Sequence, residues 1–316
     1  MKKSTIILSM LVAASSVFAV DDIWNGNGGD TDYNNAANWN KGWVPQAADK
    51  AITSGETNID IIMDSTPSAS PSEIWLGSNV GANLHTLTIN GATLSGAKIK
   101  VGYDKGAYAD VVGNGLLTLN NASITLSSNL EIGTKDGTGT TGASGAVVVN
   151  GGTLNANQII LGKSTGFDGT ISLNNGAAVT VNNFKLALSG SAVGTLNLNS
   201  GSLTVNNGWS GTGTGYIDIS EGTVLIANKT DIAFKFVDMA ALGNLTVSGG
   251  LTDASAFAGY TQDAGSFTGT GGTAYWGHDG TGTALWSVAA IPEPATLSMV
   301  AALGGGILFI RRRFMA

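Results

Sequence analysis

No cysteine occurs in the 316 residues, so no disulfide and no thiolate chemistry is available. Arginine is confined to three consecutive positions, Arg311, Arg312 and Arg313. Histidine occurs twice, at His85 and His278, without a neighbour pattern that would hold a metal. Charged residues make up 12% of the chain and proline only five positions. Each scarcity excludes something. Between Val20 and Ala290 there are ten Lys and no Arg against 21 acids, a net of −11, which excludes nucleic acid as a partner and disfavours anionic lipid. Polysaccharide lyases need a cation, most often Arg, to meet a uronate carboxylate, and this body has no Arg. No serine sits in Gly-x-Ser-x-Gly, and no Gly-Gly-x-Gly-x-Asp calcium repeat occurs. The acids are scattered rather than paired as hydrolysis requires. Asp104, Asp110, Asp136 and Asp168 fall in variable loops and read as solvated charge. The chain calls for no enzyme chemistry and no cofactor.

What is present is repetition. Leu87-Thr-Ile-Asn-Gly-Ala-Thr-Leu94 returns at Leu117–Ile124, Val147–Leu154, Ile171–Val179, Leu196–Leu203 and, more divergently, Ile217–Val224. Each copy alternates apolar and polar residues, breaks at Asn with a small residue, and alternates again, which is strand, tight turn, strand. A further strand ending in Gly accompanies the copies, as in Ile74-Trp-Leu-Gly77, Ile99-Lys-Val-Gly102, Leu130-Glu-Ile-Gly133 and Ile159-Ile-Leu-Gly162, with Phe184–Leu188 a looser fifth. Three strands per repeat, with length variation in one loop, predict an all-β fold, a right-handed parallel β-helix. Leu87, Leu117, Val147, Ile171, Leu196 and Ile217 should stack in one inward column. Asn90, Asn120, Asn150, Asn174 and Asn199 should stack at a corner, through tolerance of left-handed backbone or as an amide ladder. The alternative is a β-sandwich of hairpins, because Asn-Gly also marks a hairpin turn. His85, next to Leu84, is expected to face solvent.

The array is expected to span 63–227, between an N-terminal cap at 20–62 and irregular final coils with a closing strand pair at 228–290. In the cap, Trp24, Trp39 and Trp43 have two readings. Their rings could close the first layer, which is the favoured one, or form a stacking platform for sugars. The block from Ile23 to about Ile62 carries Asn38-Trp39, Gly42, Pro45 and Asp49. In this it resembles the opening of exported bacterial β-helix proteins related to autotransporter passengers.

The two termini carry addresses. Met1-Lys2-Lys3, the apolar Ser4–Ala14 run and Val17-Phe18-Ala19 form a signal peptide (1–19), to be cut by signal peptidase after Ala19. At the other end, Pro292-Glu293-Pro294 precedes 16 uncharged residues, Ala295–Ile310, and then the three arginines. An uncharged run closed by Arg is a membrane segment with its basic end inside. It is shorter than the roughly 20 residues of a full span, and Gly304-Gly305-Gly306 weakens it. The order at 291–316 is similar to the PEP-CTERM sorting signal of Gram-negative bacteria that make exopolysaccharide. That resemblance covers the tail alone. It implies one transient transmembrane helix, an exosortase-type membrane protease as processing partner, and association with the cell surface or exopolysaccharide. The function expected is structural or adhesive; a carbohydrate-binding protein and a polysaccharide-degrading enzyme are the alternatives.

Overall fold

The computed structural model describes residues 20–55, 57–78, 83–104, 113–135, 142–211, 213–229 and 231–290. Ala19, Pro292, Glu293, Pro294, Arg311, Arg312 and Arg313 lie outside the described residues, as do the expected signal peptide and tail helix. Within them the chain is mostly strand, as the alternation requires, and the fold is all-β. No helix among the described residues is long and apolar enough to cross a membrane.

Two sheets carry the repeats. The first, here sheet I, has eight strands: Ile59–Met63, Leu84–Asn90, Asn114–Asn120, Ser144–Asn150, Asp168–Asn174, Val193–Leu198, Thr214–Ile219 and Leu245–Val247. All neighbours in it are parallel. Inward residues alternate with outward ones without a break in the middle strands. Leu87, Leu117, Val147, Ile171, Leu196 and Ile217 are successive partners across these strands, each at most 1% exposed. Each such aliphatic side chain stabilises by about 1.5–3 kcal/mol relative to exposure.

Sheet II faces the same core with nine parallel strands: Asp21–Ile23, Lys50–Ser54, Glu73–Ser78, Lys98–Asp104, Ser123–Lys135, Thr153–Leu161, Ala178–Leu186, Ser202–Ser210 and Thr223–Ile226. The short Thr93–Gly96 strand also pairs with Ser123–Lys135. Here the expectation of three strands per repeat is corrected to two. The second and third strands share one sheet; they are separate in the first copy, as Thr93–Gly96 and Lys98–Asp104, and from Ser123 onward they are one continuous strand. The inward side chains Ala156 and Ile159 lie three residues apart, so the alternation slips phase there, and a register shift absorbs the slip. The hairpin alternative is not what forms. Residues on either side of each Asn enter different sheets, and their pairings are parallel.

The asparagines form a ladder of one direction. Asn120 Nδ2 donates to Asn90 Oδ1 (2.8 Å), Asn150 to Asn120 (2.9 Å), Asn174 to Asn150 (2.8 Å) and Asn199 to Asn174 (2.6 Å). Asn90 donates in turn to the Asp64 carboxylate at 2.6 Å. The left-handed backbone belongs to the residue after the ladder position, Gly91, Asn121, Gly151 and Asn175. The glycines that end the accompanying strands have a different reason. A Cβ on Gly102 would lie 2.2 Å from Ser144 O, because the chain crosses the start of a sheet I strand there at positive φ. In the looser fifth copy Ala187 takes that conformation, at φ 57°.

The stack reaches beyond the expected array at both ends. Lys50–Ser54 and Ile59–Met63, inside the segment read as a cap, already pair in parallel with the next strands. After Ile226 comes a helix, α1 (Ala233–Ala241), and not irregular coil. Three antiparallel strands then extend sheet II: Thr283–Ala289, Gly272–His278 and Gln262–Thr268.

Candidate functional site

Three places gather polar and aromatic side chains, and they differ in whether anything is left for a ligand. The first is the N-terminal layer. Trp39 is 2% exposed, meets Trp24 edge-on at 5.2 Å and Tyr33 at 5.1 Å, and donates from Nε1 to Tyr33 O at 2.9 Å. Trp24 is also buried. These rings fill the open end of the core, so the sugar platform of three tryptophans is corrected: Trp39 is enclosed, and Trp24 is buried apart from an edge on a pocket of about 450 Å³ that it shares with Asp30, Thr57 and Asp60. Trp43 is 44% exposed, with its Nε1–H directed to Asp49 Oδ2 at 3.3 Å. Beneath the rings the Asp22 side chain is fully buried. Its Oδ1 accepts from Lys41 N, while Oδ2 and the Tyr33 hydroxyl have no partner. Burial, joined by the Asp49 charge, pushes the Asp22 carboxyl up to about 6 against the Lys41 N–H that favours its ionisation.

His85 belongs to this end too, and its expected exposure is corrected. It shares parity with Leu87 and Ile89, not with Leu84, so it points inward and is fully buried. Its Nε2 lies 3.0 Å from Thr57 O, and burial holds its pKa below the usual imidazole value.

The second place is the outer face of sheet II. Trp75, Lys100, Glu131, Ile160 and Lys185 are successive partners there. Lys100 Nζ sits 4.6 Å from the Trp75 ring and 4.1 Å from that of Tyr103, within the range of cation–π attraction. Glu131, 1% exposed, accepts from Lys163 Nζ at 3.0 Å and has Lys98 Nζ at 3.8 Å, with Asn129 and Thr134 completing its shell. Burial pushes its carboxyl up, but the hydrogen bond and charge of Lys163, Asn129 and Lys98 outweigh that and leave it below the ordinary range. A carboxylate so fully partnered is a fastening, and it has no spare oxygen for a substrate.

The third place is one that sequence reasoning does not identify as a site. Between α1 and the ends of the strands Ala178–Leu186 and Ser202–Ser210 lies a cavity of about 440 Å³. Leu186, Trp209 and Met239 give it an apolar wall; Lys235, Asp238 and Asn244 give it a polar one. Trp209 continues the inward column of Leu130, Ile159 and Phe184, in which the side chain grows from aliphatic to aromatic along the stack. It packs on Phe184 (4.7 Å) and edge-on to Phe236 (5.9 Å), yet stays half-buried because the next layer is the helix and not another strand. The signal for it is a ring larger than its column, and a helical spacing at Ile232, Phe236, Met239 and Ala240.

The remaining expected residues do not converge. Asp110 and Asp136 lie outside the described residues, Asp168 begins a sheet I strand, and no group of three His, Asp or Glu is placed to hold a metal among the described residues. His278 Nε2 lies 2.9 Å from Asp263 Oδ2 on the terminal strands, far along the chain from His85. Fold and sites together define an all-β repeat protein whose described residues include an open groove beside α1. Comparison with protein-family models, with curated proteins and with solved structures finds no match.

Proposed function

We propose that this chain is an exported cell-surface or extracellular-matrix protein with a structural or adhesive task, and that its body is a right-handed parallel β-helix. The observation that carries the reading is the pair of parallel ladders in which each repeat contributes one strand to each sheet in register. A stack of eight such layers is a rod roughly 40 Å long at about 4.8 Å per layer. Its mechanism is passive: burial and ladder pairing hold an acidic surface in one shape without disulfides. Addressing rests on the sequence of the ends. Signal peptidase would cut after Ala19, and the tail would pause in the membrane with Arg311, Arg312 and Arg313 inside. An exosortase-type protease would then act near Pro292, Glu293 and Pro294, leaving the body associated with exopolysaccharide. No catalysis, cofactor or nucleic acid enters this reading. Cell fractionation with mass spectrometry of the mature C-terminus tests it. The expected surface form ends near residue 294; a surface pool that keeps Ala295 to Ala316 would overturn the sorting step.

A further inference from the structure

We infer that the groove beside α1 is a binding site for a neutral, hydroxyl-rich saccharide unit. The inference takes from the proposed matrix association only the source of the ligand. Its chemistry comes from the groove. At about 440 Å³ the space lies within the range of small-molecule sites, which pair apolar walls with a few convergent polar groups. Trp209, Leu186 and Met239 supply a surface for the C–H face of a pyranose. Five of the seven tryptophans are buried to below 9% exposure, and among the described residues nothing accepts from the indole N–H of Trp209.

The polar side chains are equally uncommitted. Among the described residues no side-chain hydrogen bond or ion pair engages Lys235 Nζ, the Asp238 carboxylate or the Asn244 amide. Together they offer donors (indole N–H, ammonium, amide NH₂) and acceptors (carboxylate, amide C=O) around one space. A ligand that meets both kinds at several points must itself carry groups that can both donate and accept, and a hydroxyl does so. The single cation and single anion on the rim balance, so the groove has no net charge to attract a uronate. Contrast the outer face of sheet II, where Lys98 and Lys163 are already bound to Glu131.

The test is isothermal titration of the full chain, in detergent, with neutral tetrasaccharides (glucan, mannan, galactan) and with a tetragalacturonate, at millimolar concentration. Asn244→Ala, Asp238→Ala and Lys235→Ala are compared with the parent, and thermal melts check that each variant folds. The expected result is binding of at least one neutral tetrasaccharide, weakened tenfold or more by Asn244→Ala and by Asp238→Ala at unchanged melting temperature. Absence of neutral binding, binding by the uronate alone, or affinity unchanged in all three variants would overturn the site. Its failure leaves the sorting reading standing, and an uncut tail leaves the groove standing, because the two readouts share no residue.

Discussion

The two ends of the stack solve the same problem in opposite ways. A repeat array exposes an apolar layer wherever it stops. At the N-terminal end Trp24, Tyr33 and Trp39 fill that layer, at the cost of burying Asp22 and His85, with Asp22 Oδ2, the Tyr33 hydroxyl and His85 Nδ1 left unpartnered. At the C-terminal end α1 and an antiparallel strand set cover the layer but do not fill it, and a groove remains. The N-terminal end is plugged by rings, with a pocket of about 450 Å³ left beside Trp24, while the C-terminal end is covered by a helix with a groove left beside it; most of the unpartnered buried polar atoms lie at the first end, and Trp276 Nε1 lies at the second. A filled end stabilises the whole stack, whereas a lid over a cavity can be loosened by itself.

The largest expected effect comes from the filled end. Trp39→Ala removes a fully buried ring with two aromatic neighbours and a hydrogen bond, and should cost about 4 kcal/mol. Because Trp39 seals the first layer, chemical denaturation should remain one transition at a lower midpoint. Phe236→Ala removes an equally buried ring, but its site borders an existing cavity, and the cost should be nearer 3 kcal/mol. Hydrogen exchange should then show lost protection confined to α1 and Leu245–Val247. Protection lost across the whole stack would erase the contrast between the two ends.

Most of this architecture is readable in the sequence because repetition multiplies a weak signal. One Leu-x-Leu says little, but Leu87, Leu117, Val147, Ile171, Leu196 and Ile217 at the same place in six copies name the inward column before any coordinate is known. The ladder asparagines are readable for the same reason. Features that repetition does not mark stay hidden. The phase slip at Ala156 makes two expected strands one, because alternation alone does not say whether a break turns a corner or merely bulges. His85 is misjudged when it is compared with Leu84, since a strand's inward parity is set by its column and not by the nearest Leu. The groove involves α1, which occurs once, and Trp209, whose exposure depends on the helix packed over it rather than on its own strand.

The buried polar groups of the N-terminal end give that end a pH signature of its own. Asp22 has its pKa raised from 3.8 to about 6, so the folded chain holds more protons than the unfolded chain between those values. Its contribution to stability is therefore best at pH 4 and is lost as pH rises through about 6. His85, its pKa lowered by burial, acts with the opposite sign and costs stability as pH falls below its ordinary value of 6.5. Asp22→Asn should match the parent near pH 4 and melt above it by a few degrees at pH 8. A difference in melting temperature that stays flat from pH 4 to 8 would mean that the carboxyl finds a partner in solution.

The smallest effect concerns how the asparagine ladder ends. Its N-terminal member is not an amide: Asp64 accepts from Asn90, and a carboxylate can only accept, so it fixes the direction in which every later amide donates. At the far end Asn199 donates to Asn174. Asp64 is exposed, so the charge-assisted bond competes with water and contributes little by itself. Asp64→Asn keeps an acceptor oxygen in place and should cost no more than about 0.5 kcal/mol. Asn150→Ala, which breaks the ladder on both sides in the middle, should cost about 1–2 kcal/mol. If Asp64→Asn costs as much as Asn150→Ala, the direction of the ladder is worth more than any single bond in it, and the N-terminal carboxylate sets the order of the whole edge.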